Sequence, residues 1–572
     1  MRKKWGNRIG AIVLACALTV NGLPVQSIST STRKANAAAK SETEKQDVSQ
    51  PETKMGNVVL NGNDIAVNNV NGLTYKGFGM LSGNSTSDLL MDYKAEQPKA
   101  YAELMQYLFG GNYPIMNHVK LEMGNDRNTS TGPESCTKRT EKEKANVLRN
   151  PGWQLAADAK KINPKIKVSI LRWEAPVWAG TDEKIYQWYK ETILDAYEKY
   201  GYMVDYINPN INEKWDVDSD VAFTKKFAKW IAAETKETIP DEKALALYHK
   251  IKLVVSDEAG TASDSVVESM KSDSDFYNSV DVVGYHYSPW DDSNGGMKWL
   301  AQTKDKEVWN SEAQATFSNS AFRPSNNVKD PTTEGTGLGG TGSALEMANT
   351  FIKGFVQSRR SHVIYQPAIG SFYEGAQFSF KELVSARDPW SGWIHYDAGL
   401  LMLAHISKFA VTGWENEDNT AGIWRAVPQA SKCTADGTNP VNGRNGGENY
   451  MTLASPAKDN FSTMIVNDSE YPMEYKIQTK NMKLAEDQNL EIWETRAADD
   501  GAFNENYMKC IGTAKADDNG VYTVKVKPYS AVTVTTLQVA DDEEHTKALP
   551  VEGERVVLDT DRTGSKQDVE ND

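Results

Sequence analysis

Two glutamates stand in sequence contexts that suit the hydrolysis of a glycosidic bond. Glu213 ends the segment Tyr206-Ile-Asn-Pro-Asn-Ile-Asn-Glu, and Glu312 ends the segment Val308-Trp-Asn-Ser-Glu, 99 residues later. Each follows a short apolar run typical of a strand, so both carboxyl groups are predicted to meet at one end of a parallel barrel. There one carboxyl could protonate the leaving oxygen while the other attacks the sugar. Asn212, immediately before Glu213, is a candidate ligand for the sugar 2-hydroxyl.

The elements that must position these residues form a regular series. Eight apolar runs, at residues 74–80, 118–123, 167–173, 204–211, 251–256, 280–287, 307–311 and 362–369, alternate with amphipathic segments that include residues 98–109, 185–200, 219–238 and 343–359. This order is typical of a (β/α)8 TIM barrel, in which Glu213 closes the fourth strand and Glu312 the seventh. From residue 412, short alternating strands at 450–454, 461–466, 490–495, 520–526 and 531–537 predict an all-β sandwich. The predicted fold class is α/β, a TIM barrel with an additional sandwich domain.

The two ends of the chain are predicted to lie outside these domains. Residues 1–37 have a basic start, an apolar stretch and a small-residue cleavage site at Ala35-Asn36-Ala37, which is typical of a bacterial secretion signal. An uncleaved anchor, or a lipid on Cys16, remains an alternative that would keep the protein at the cell surface. Residues 38–56 are predicted to be a polar linker, and residues 57–72 to add a strand to the sandwich. The barrel is assigned to residues 73–411 and the sandwich to 412–540, with a flexible acidic tail at 541–572.

Composition excludes several classes of function. The chain has 63 basic and 78 acidic residues, a net charge of -15, and removal of the six basic residues of the predicted signal gives -21. This acidic balance argues against nucleic acid as a partner, and the lack of a further long apolar run argues against stable membrane insertion. Beyond the signal stand Cys136, Cys433 and Cys510, for which a Cys433 to Cys510 disulfide and free thiols both remain open. Since no cysteine and histidine cluster has metal-ligand spacing, neither a metal nor a cofactor is predicted.

Six segments, in order over more than 300 residues, match the motifs of one known family. They are Gly77-Phe-Gly-Met-Leu-Ser-Gly83, Lys120-Leu-Glu-Met-Gly-Asn-Asp126, residues 200–215, Val283-Gly-Tyr-His-Tyr287, Trp309-Asn-Ser-Glu312 and Asp388-Pro-Trp-Ser-Gly-Trp393. On these segments the chain resembles glycoside hydrolase family 59, the galactocerebrosidases. The resemblance implies a secreted retaining exo-β-galactosidase acting on a galactoside glycan or glycolipid. It also implies that Glu213 is the general acid/base and Glu312 the nucleophile.

The resemblance also implies a set of sugar-binding residues. They are Asn212, Thr129, Trp173, His286, Tyr287 and Tyr365. Asn212 and Thr129 would bind galactose hydroxyls, and Trp173 would stack on the apolar face of the ring. Where the family has a tryptophan on its eighth strand, this chain has Tyr365 or Gln366, so the inner wall of the pocket is expected to differ.

Acid catalysis near neutral pH requires a protonated Glu213. A raised pKa is therefore expected for Glu213, caused by the charge of Glu312 and by partial burial. Two competing interpretations remain: a retaining hydrolase of the same clan that acts on xylan or another β-glycan, and a non-catalytic carbohydrate-binding protein. Animal members of the family continue into a lectin-like domain, whereas this sequence ends in its acidic tail at Asp572. Both a truncated chain and one that works without that domain are consistent with the sequence, which predicts neither the aglycone nor the oligomeric state.

Overall fold

The fold was analysed in a computed structural model of the chain. It describes residues 51–83, 86–127, 134–259, 261–287, 295–313, 338–339, 343–370, 382–396, 398–416, 420–434, 445–496 and 507–546. All of them belong to one compact unit. The predicted export signal, residues 38–50 of the predicted linker and residues 547–572 of the predicted tail lie outside the described residues. Within the described part of the chain, no helix is both long enough and apolar enough to cross a membrane.

The first strand of the described residues is β1 (Lys54–Asn61), and the chain then forms a closed barrel of eight parallel strands. The barrel strands are β2 (Gly77–Ser82), β3 (Met116–Glu122), β4 (Lys167–Arg172), β5 (Tyr206–Ile211), β6 (Lys252–Glu258), β7 (Val282–His286), β8 (Glu307–Ala313) and β9 (His362–Tyr365). Each predicted apolar run overlaps one of these strands. The predicted TIM barrel is therefore confirmed.

Helices surround the barrel and connect its strands. They are α1 (Thr86–Glu96), α2 (Pro98–Phe109), α3 (Pro151–Ile162), α4 (Asp182–Tyr200), α5 (Val217–Ala233), α6 (Glu242–Tyr248), α7 (Thr261–Ser272), α8 (Ser274–Ser279), α9 (Gly296–Thr303), α10 (Ala344–Ser358) and α11 (Ala398–Ser407). The two ends of α4 follow ordinary capping rules. The Thr181 hydroxyl accepts a hydrogen bond from the backbone N–H of Lys184 at the start of α4, and Gly201, with φ of 78°, ends the same helix in the left-handed conformation.

The barrel interior is filled by an apolar cluster and a polar layer. The apolar cluster consists of Leu81, Leu171, Tyr206, Val254, Val282, Trp309 and Ile364. The polar layer contains two fully buried histidines, since His118 Nδ1 lies 2.8 Å from His362 Nε2 and His118 Nε2 lies 2.8 Å from the Ser169 hydroxyl. Burial lowers the pKa of both histidines, that of His362 to about 3. Both are therefore neutral at physiological pH.

The remaining strands follow the barrel. Three of them form a small sheet: β10 (Ile369–Gly370), β11 (Val384–Asp388) and β12 (Trp393–Tyr396). The others are β13 (Arg425–Ala426), β14 (Lys432–Cys433), β15 (Asn449–Ala454), β16 (Phe461–Asn467), β17 (Met473–Lys480), β18 (Leu490–Arg496), β19 (Lys509–Ala514), β20 (Val521–Val526) and β21 (Ser530–Thr535). One sheet has the order β1-β17-β20, and the other β13-β15-β16-β21-β18-β19, with β14 paired to β15. Both sheets contribute to one apolar core, so the predicted sandwich is confirmed. The strands β17 and β19 were not predicted.

The sandwich packs against two barrel helices, α10 and α11, which contact its strands and are buried on nearly every side. His405 of α11 connects the two domains, because its ring nitrogens lie 3.0 Å from the Thr533 hydroxyl and 2.8 Å from the Thr495 hydroxyl. Burial lowers the pKa of His405 to about 3. The hydrogen bonds therefore join a neutral imidazole to two hydroxyl groups across the interface.

Two predicted flexible segments are partly ordered. Strand β1 begins at Lys54, inside the predicted linker, because its backbone pairs in parallel with β17 from Lys54 to Asn61. In the predicted tail, residues 543–546 form a short helix, α12 (Glu543–Thr546). There the carboxylate of Glu544 accepts backbone N–H bonds from Asn112 and Tyr113, 3.1 and 2.9 Å long, and His545 is buried. At its start, therefore, the predicted tail contacts the barrel domain through two of its residues.

The histidine at the domain interface predicts acid sensitivity. The unfolded chain binds a proton at this residue near pH 6.5, whereas folded His405 stays neutral to about pH 3, so its stabilising contribution is lost as pH falls below 6.5. For the wild type we expect His405 to account for about 2 kcal/mol of the decrease in unfolding free energy between pH 7 and pH 5. The variant His405→Gln should show a decrease smaller by that amount in urea titrations at both pH values. An identical pH dependence in the two proteins would contradict a buried neutral His405.

Candidate active site

The two predicted catalytic glutamates lie at the C-terminal mouth of the barrel. Glu213 follows the fourth barrel strand, β5, and Glu312 is the penultimate residue of the seventh, β8. Glu213, Asp257 and Tyr287, at the ends of the fourth, fifth and sixth strands, have φ values of 54°, 45° and 60°. Left-handed backbone costs a residue with a side chain about 1–2 kcal/mol, and its recurrence at three adjacent strand ends marks a strained rim of the kind found at functional sites.

The two carboxylates approach each other closely. A carboxylate oxygen of Glu213 and one of Glu312 lie within 4.8 Å of each other, and the same limit holds for a ring nitrogen of His286. The hydroxyl of Tyr287 stands between the carboxylates, 2.5 Å from Glu213 Oε1 and 3.1 Å from Glu312 Oε2. His286 Nδ1 lies 3.0 Å from Glu213 Oε1 and 3.8 Å from Glu312 Oε2. Tyr287 and His286, both predicted site residues, are therefore brought together with the catalytic pair.

A buried lysine beneath the pair balances its charge. The Lys120 ammonium, on β3, lies 3.4 Å from Glu312 Oε1 and 3.2 Å from Asp257 Oδ2. Asp257 in turn accepts a hydrogen bond of 2.9 Å from the Asn208 amide, and its other oxygen lies 3.3 Å from His286 Nε2. Lys120, Asp257 and Glu312 are each at most 3% exposed. Because buried charges are stable only when paired, this network fixes the positions of Glu312 and His286.

The network sets the protonation of the site. Burial alone would lower the pKa of His286, but the charge of Glu312 and hydrogen bonds to Asp257 and Glu213 raise it to about 9. Burial raises the pKa of Asp257, yet the charge of Lys120 and the contact with His286 outweigh burial and hold it far below its usual range. His286 is therefore a cation at neutral pH and donates from both ring nitrogens.

The expected raised pKa of Glu213 is not found. Burial does raise the pKa of this carboxyl, but the hydrogen bond and charge of His286, with the hydrogen bond from Tyr287, outweigh burial and lower it. Glu213 is 30% exposed, and its partner is a cation. In the free protein the proton thus lies on His286, 3.0 Å from Glu213, rather than on Glu213 itself.

The same side chains could also be ligands for a metal ion. Glu213, His286 and Glu312 offer three ligand atoms within 4.8 Å of one another. A cation between them would stand close to the Lys120 ammonium and would require the loss of the His286 proton, whose pKa is about 9. The charges of the site therefore fit a carboxylate pair better than a divalent cation.

The structure brings some of the other predicted sugar-binding residues to the catalytic pair and not others. Asn212 is brought to the pair, because its amide Nδ2 lies 3.4 Å from Glu312 Oε1 while its buried Oδ1 has no partner among the described residues. Trp173 lies half-buried at the end of the third barrel strand. Thr129 lies outside the described residues. The structure does not bring Tyr365 to the site: it is 1% exposed and packs on Phe78, outside the barrel, because its neighbour Ile364 occupies the inward position.

Sequence reasoning did not assign a role to two residues of this network, Lys120 and Asp257. Both are charged residues in buried barrel strands, at positions whose side chains face the barrel interior or its mouth. A charged residue in a strand that is buried on both faces is uncommon, and this signal could have identified them. None of the three cysteines among the described residues is in a disulfide, so of the two alternatives left open for Cys433 and Cys510 the structure shows the thiols.

The fold and site together define a class of protein. A closed (β/α)8 barrel with paired glutamates after its fourth and seventh strands is the arrangement of a glycoside hydrolase. A family model described as glycosyl hydrolase family 59 matches residues 75–408, more than half of the chain, and the chain belongs to this family. The resemblance seen in the sequence is therefore confirmed.

Curated relatives agree with this assignment. The galactocerebrosidase of Danio rerio is 26% identical over 357 residues, 60% of this chain and 46% of that protein. That of Mus musculus is 25% identical over 481 residues, 82% of this chain and 61% of that protein. The matched region thus spans about half to three-fifths of these relatives.

Among solved structures, SrfJ from Salmonella typhimurium has a TM-score of 0.56 at 12% identity, covering 84% of this chain and 92% of that one. A GH30 endoxylanase from Clostridium papyrosolvens has a TM-score of 0.51 at 13% identity, covering 84% and 99%. At these identities the likeness concerns the fold alone.

Removal of the buried ammonium should affect stability and catalysis together. In Lys120→Met, Asp257 and Glu312 lose their shared counter-charge, so we expect the unfolding free energy at pH 7 to fall by about 3–5 kcal/mol. The acid limb of kcat/KM should move to higher pH, because the charge of Lys120 holds the pKa of Asp257 far below its usual range, and without that charge Asp257 gains a proton at higher pH and no longer balances His286. Urea denaturation and pH profiles measure both effects, with Lys161→Met, at a lysine whose side chain is 72% exposed, as the control. An unchanged acid limb would contradict the role of Lys120.

Proposed function

We propose that the protein is a secreted retaining exo-β-galactosidase that hydrolyses terminal β-D-galactosides in the manner of a galactocerebrosidase. The observation that supports the mechanism is the separation of the carboxylates, since oxygens of Glu213 and Glu312 lie within 4.8 Å. Retaining glycosidases hold their carboxyl groups roughly 5–5.5 Å apart, whereas inverting enzymes leave about 6.5–9.5 Å for a water molecule. The short separation favours direct attack by Glu312 on the sugar.

The reaction then proceeds in two displacements. Glu312 attacks the anomeric carbon while Glu213 gives a proton to the glycosidic oxygen, so the aglycone leaves as an alcohol and the sugar is bound covalently to Glu312. Glu213, now a carboxylate, removes a proton from water, and the resulting hydroxide equivalent attacks the same carbon and releases Glu312. Two inversions return the β-anomer.

The proton for the first step comes from the pair formed by His286 and Glu213. In the free protein it is held at His286 Nδ1, 3.0 Å from Glu213 Oε1. A substrate that covers Glu213 removes it from water, which favours the neutral carboxyl and transfer of the proton along this hydrogen bond. The Tyr287 hydroxyl, within 3.1 Å of both carboxylates, can follow whichever of them is charged.

The galactoside specificity and the exo mode of action rest on the family. The chain belongs to glycosyl hydrolase family 59, and the relatives that it matches are galactocerebrosidases. The substrate is accordingly a glycan or glycolipid with a terminal β-galactose. Secretion rests on the sequence of residues 1–37, which has the form of a bacterial export signal.

A panel of aryl β-glycosides tests the proposal. The galactoside, glucoside, fucoside and xyloside are offered to the wild type, and NMR records the first-formed anomer. Release of β-galactose from the galactoside supports both the sugar and the mechanism. Activity confined to the xyloside would move the enzyme to the competing β-glycan class, and a first-formed α-anomer would contradict retention.

Azide rescue assigns the two glutamates. Glu312→Ala should lose a factor on the order of 10⁴ or more in kcat, and azide should restore turnover with an α-galactosyl azide as product. Glu213→Ala should keep activity on substrates with good leaving groups, and azide should give the β-galactosyl azide. Azide products of the opposite configuration would mean that Glu213 is the nucleophile and Glu312 the general acid/base.

The position of the catalytic proton predicts an unusual pH dependence. In the wild type the pair formed by Glu213 and His286 loses its proton with an apparent pKa near the value of about 9 for His286. In His286→Gln only Glu213 can hold the proton, so the alkaline limb of kcat/KM should move down by more than about one pH unit. An alkaline limb that stays in place would exclude His286 as the residue that holds the catalytic proton in the free protein.

A further inference from the structure

One further carboxyl group faces the mouth of the barrel and takes no part in the steps above. Glu122 is the last residue of β3, and Lys120, two residues earlier on the same strand, points into the barrel towards Glu312. Because side chains alternate along a strand, Glu122 lies on the same face as Lys120, about 6.6 Å closer to the mouth. Its charge is close enough to that of Glu312 for the two to interact.

Only one of the two carboxylate oxygens of Glu122 has a hydrogen-bond partner among the described residues. Oε1 accepts a hydrogen bond of 3.1 Å from the indole N–H of Trp173, on the neighbouring strand. Oε2 is buried and has no hydrogen-bond partner among the described residues, although Glu122 is only 3% exposed. A buried carboxylate oxygen without a partner is costly, and such groups in native proteins have an explanation in function or in a bound molecule.

Gly83, which directly follows β2, has no side chain and so leaves room for the carboxylate of Glu122. A Cβ atom at Gly83, which follows β2, would lie 2.4 Å from Glu122 Oε1. A side chain at residue 83 would therefore displace the carboxylate from its hydrogen bond with Trp173. Gly83 and Trp173, which directly follow the two strands that flank β3, thus hold Glu122 in one orientation.

The position of Glu122 selects the part of the sugar that it can reach. Asn212 and Glu312 mark the side of the site that receives the anomeric carbon and the 2-hydroxyl. Glu122 ends the second barrel strand, across the mouth from the sixth strand, which carries His286. A ring held at C1 by Glu312 would therefore extend its remote end, with the 3- and 4-hydroxyls, towards the second strand.

We propose that Glu122 is a specificity-determining residue, whose free carboxylate oxygen accepts a hydrogen bond from the 3- or 4-hydroxyl of the terminal sugar while the other oxygen fixes Trp173 against the ring. This inference rests on the proposed function and specifies how the sugar is recognised. Galactose differs from glucose only at the 4-hydroxyl, so a fixed acceptor at this end of the ring can distinguish the two. A carboxylate suits the task because a charged acceptor forms the stronger hydrogen bond with a hydroxyl.

Protonation of Glu122 supplies an independent readout. Burial raises the pKa of Glu122, and so does the charge of Glu312, whereas the hydrogen bond from Trp173 lowers it. The net result is a pKa of about 7. Below this pH the free protein holds a neutral carboxyl, which is the weaker acceptor. The KM of the wild type for an aryl β-galactoside should therefore rise as pH falls through 7.

The test compares the wild type with Glu122→Gln on an aryl β-galactoside and on its 3-deoxy and 4-deoxy analogues. Glu122→Gln keeps an acceptor for Trp173 but loses the charge, so we expect KM to increase about 10-fold and its dependence on pH near 7 to disappear. One of the deoxy analogues should be a poor substrate for the wild type, and its disadvantage should shrink in the variant by a similar factor. The matched control is Glu174→Gln, at the same rim, where the side chain is 50% exposed.

Three outcomes would overturn this inference. A Glu122→Gln variant with the KM and pH dependence of the wild type would show that no substrate hydroxyl uses the free oxygen. A lower kcat with an unchanged preference between the deoxy analogues and the parent would mean that Glu122 only braces Trp173. A wild type inactive on every galactoside would refute the proposed function itself, whereas the first two results leave that function intact.

Discussion

A single buried ammonium group allows three carboxylates to share the mouth of this barrel. Lys120 lies within 3.4 Å of both Asp257 and Glu312, and Asp257 in turn binds His286, which faces Glu213. Apart from Glu213, which is 30% exposed, each of these charged groups is almost fully buried and would be unstable alone. Together they alternate in sign, so the cost of burial is offset, and removing any one member changes the protonation of the rest.

Rigid elements hold this arrangement of charges in place. The strands that carry Lys120, Asp257 and Glu312 are hydrogen-bonded to neighbours on both sides in a closed barrel, and apolar side chains fill its interior. The left-handed backbone of Glu213 and Tyr287 aims the two side chains inward, and the barrel bears the conformational cost. Such preorganisation matters because the carboxylates must keep their separation while charge moves between them.

The alternation of apolar runs and helices predicted the barrel from the sequence, and the position of Glu213 and Glu312 after two of those runs predicted their convergence. The sequence did not predict the direction of individual side chains. Tyr365 was predicted to bind the sugar, but strand parity turns its side chain towards Phe78 and away from the sugar site. Strand β19 lacks an alternating pattern because it is an exposed edge, and the order of residues 543–546 depends on contacts with residues far along the chain.

The parallel pairing of β1 with β17 constrains how the chain can fold. Lys54 pairs with Met473, and Asn61 with Lys480, so β1 can pair with β17 only after the whole barrel has been synthesised. Until then β1 is an unpaired edge with apolar side chains such as Val58 and Leu60 on one face. Contacts so distant in sequence form slowly, which makes closure of the sandwich a late event. A shortened chain that begins after residue 61 would assemble the barrel but leave β17 as an open edge, inviting association between chains.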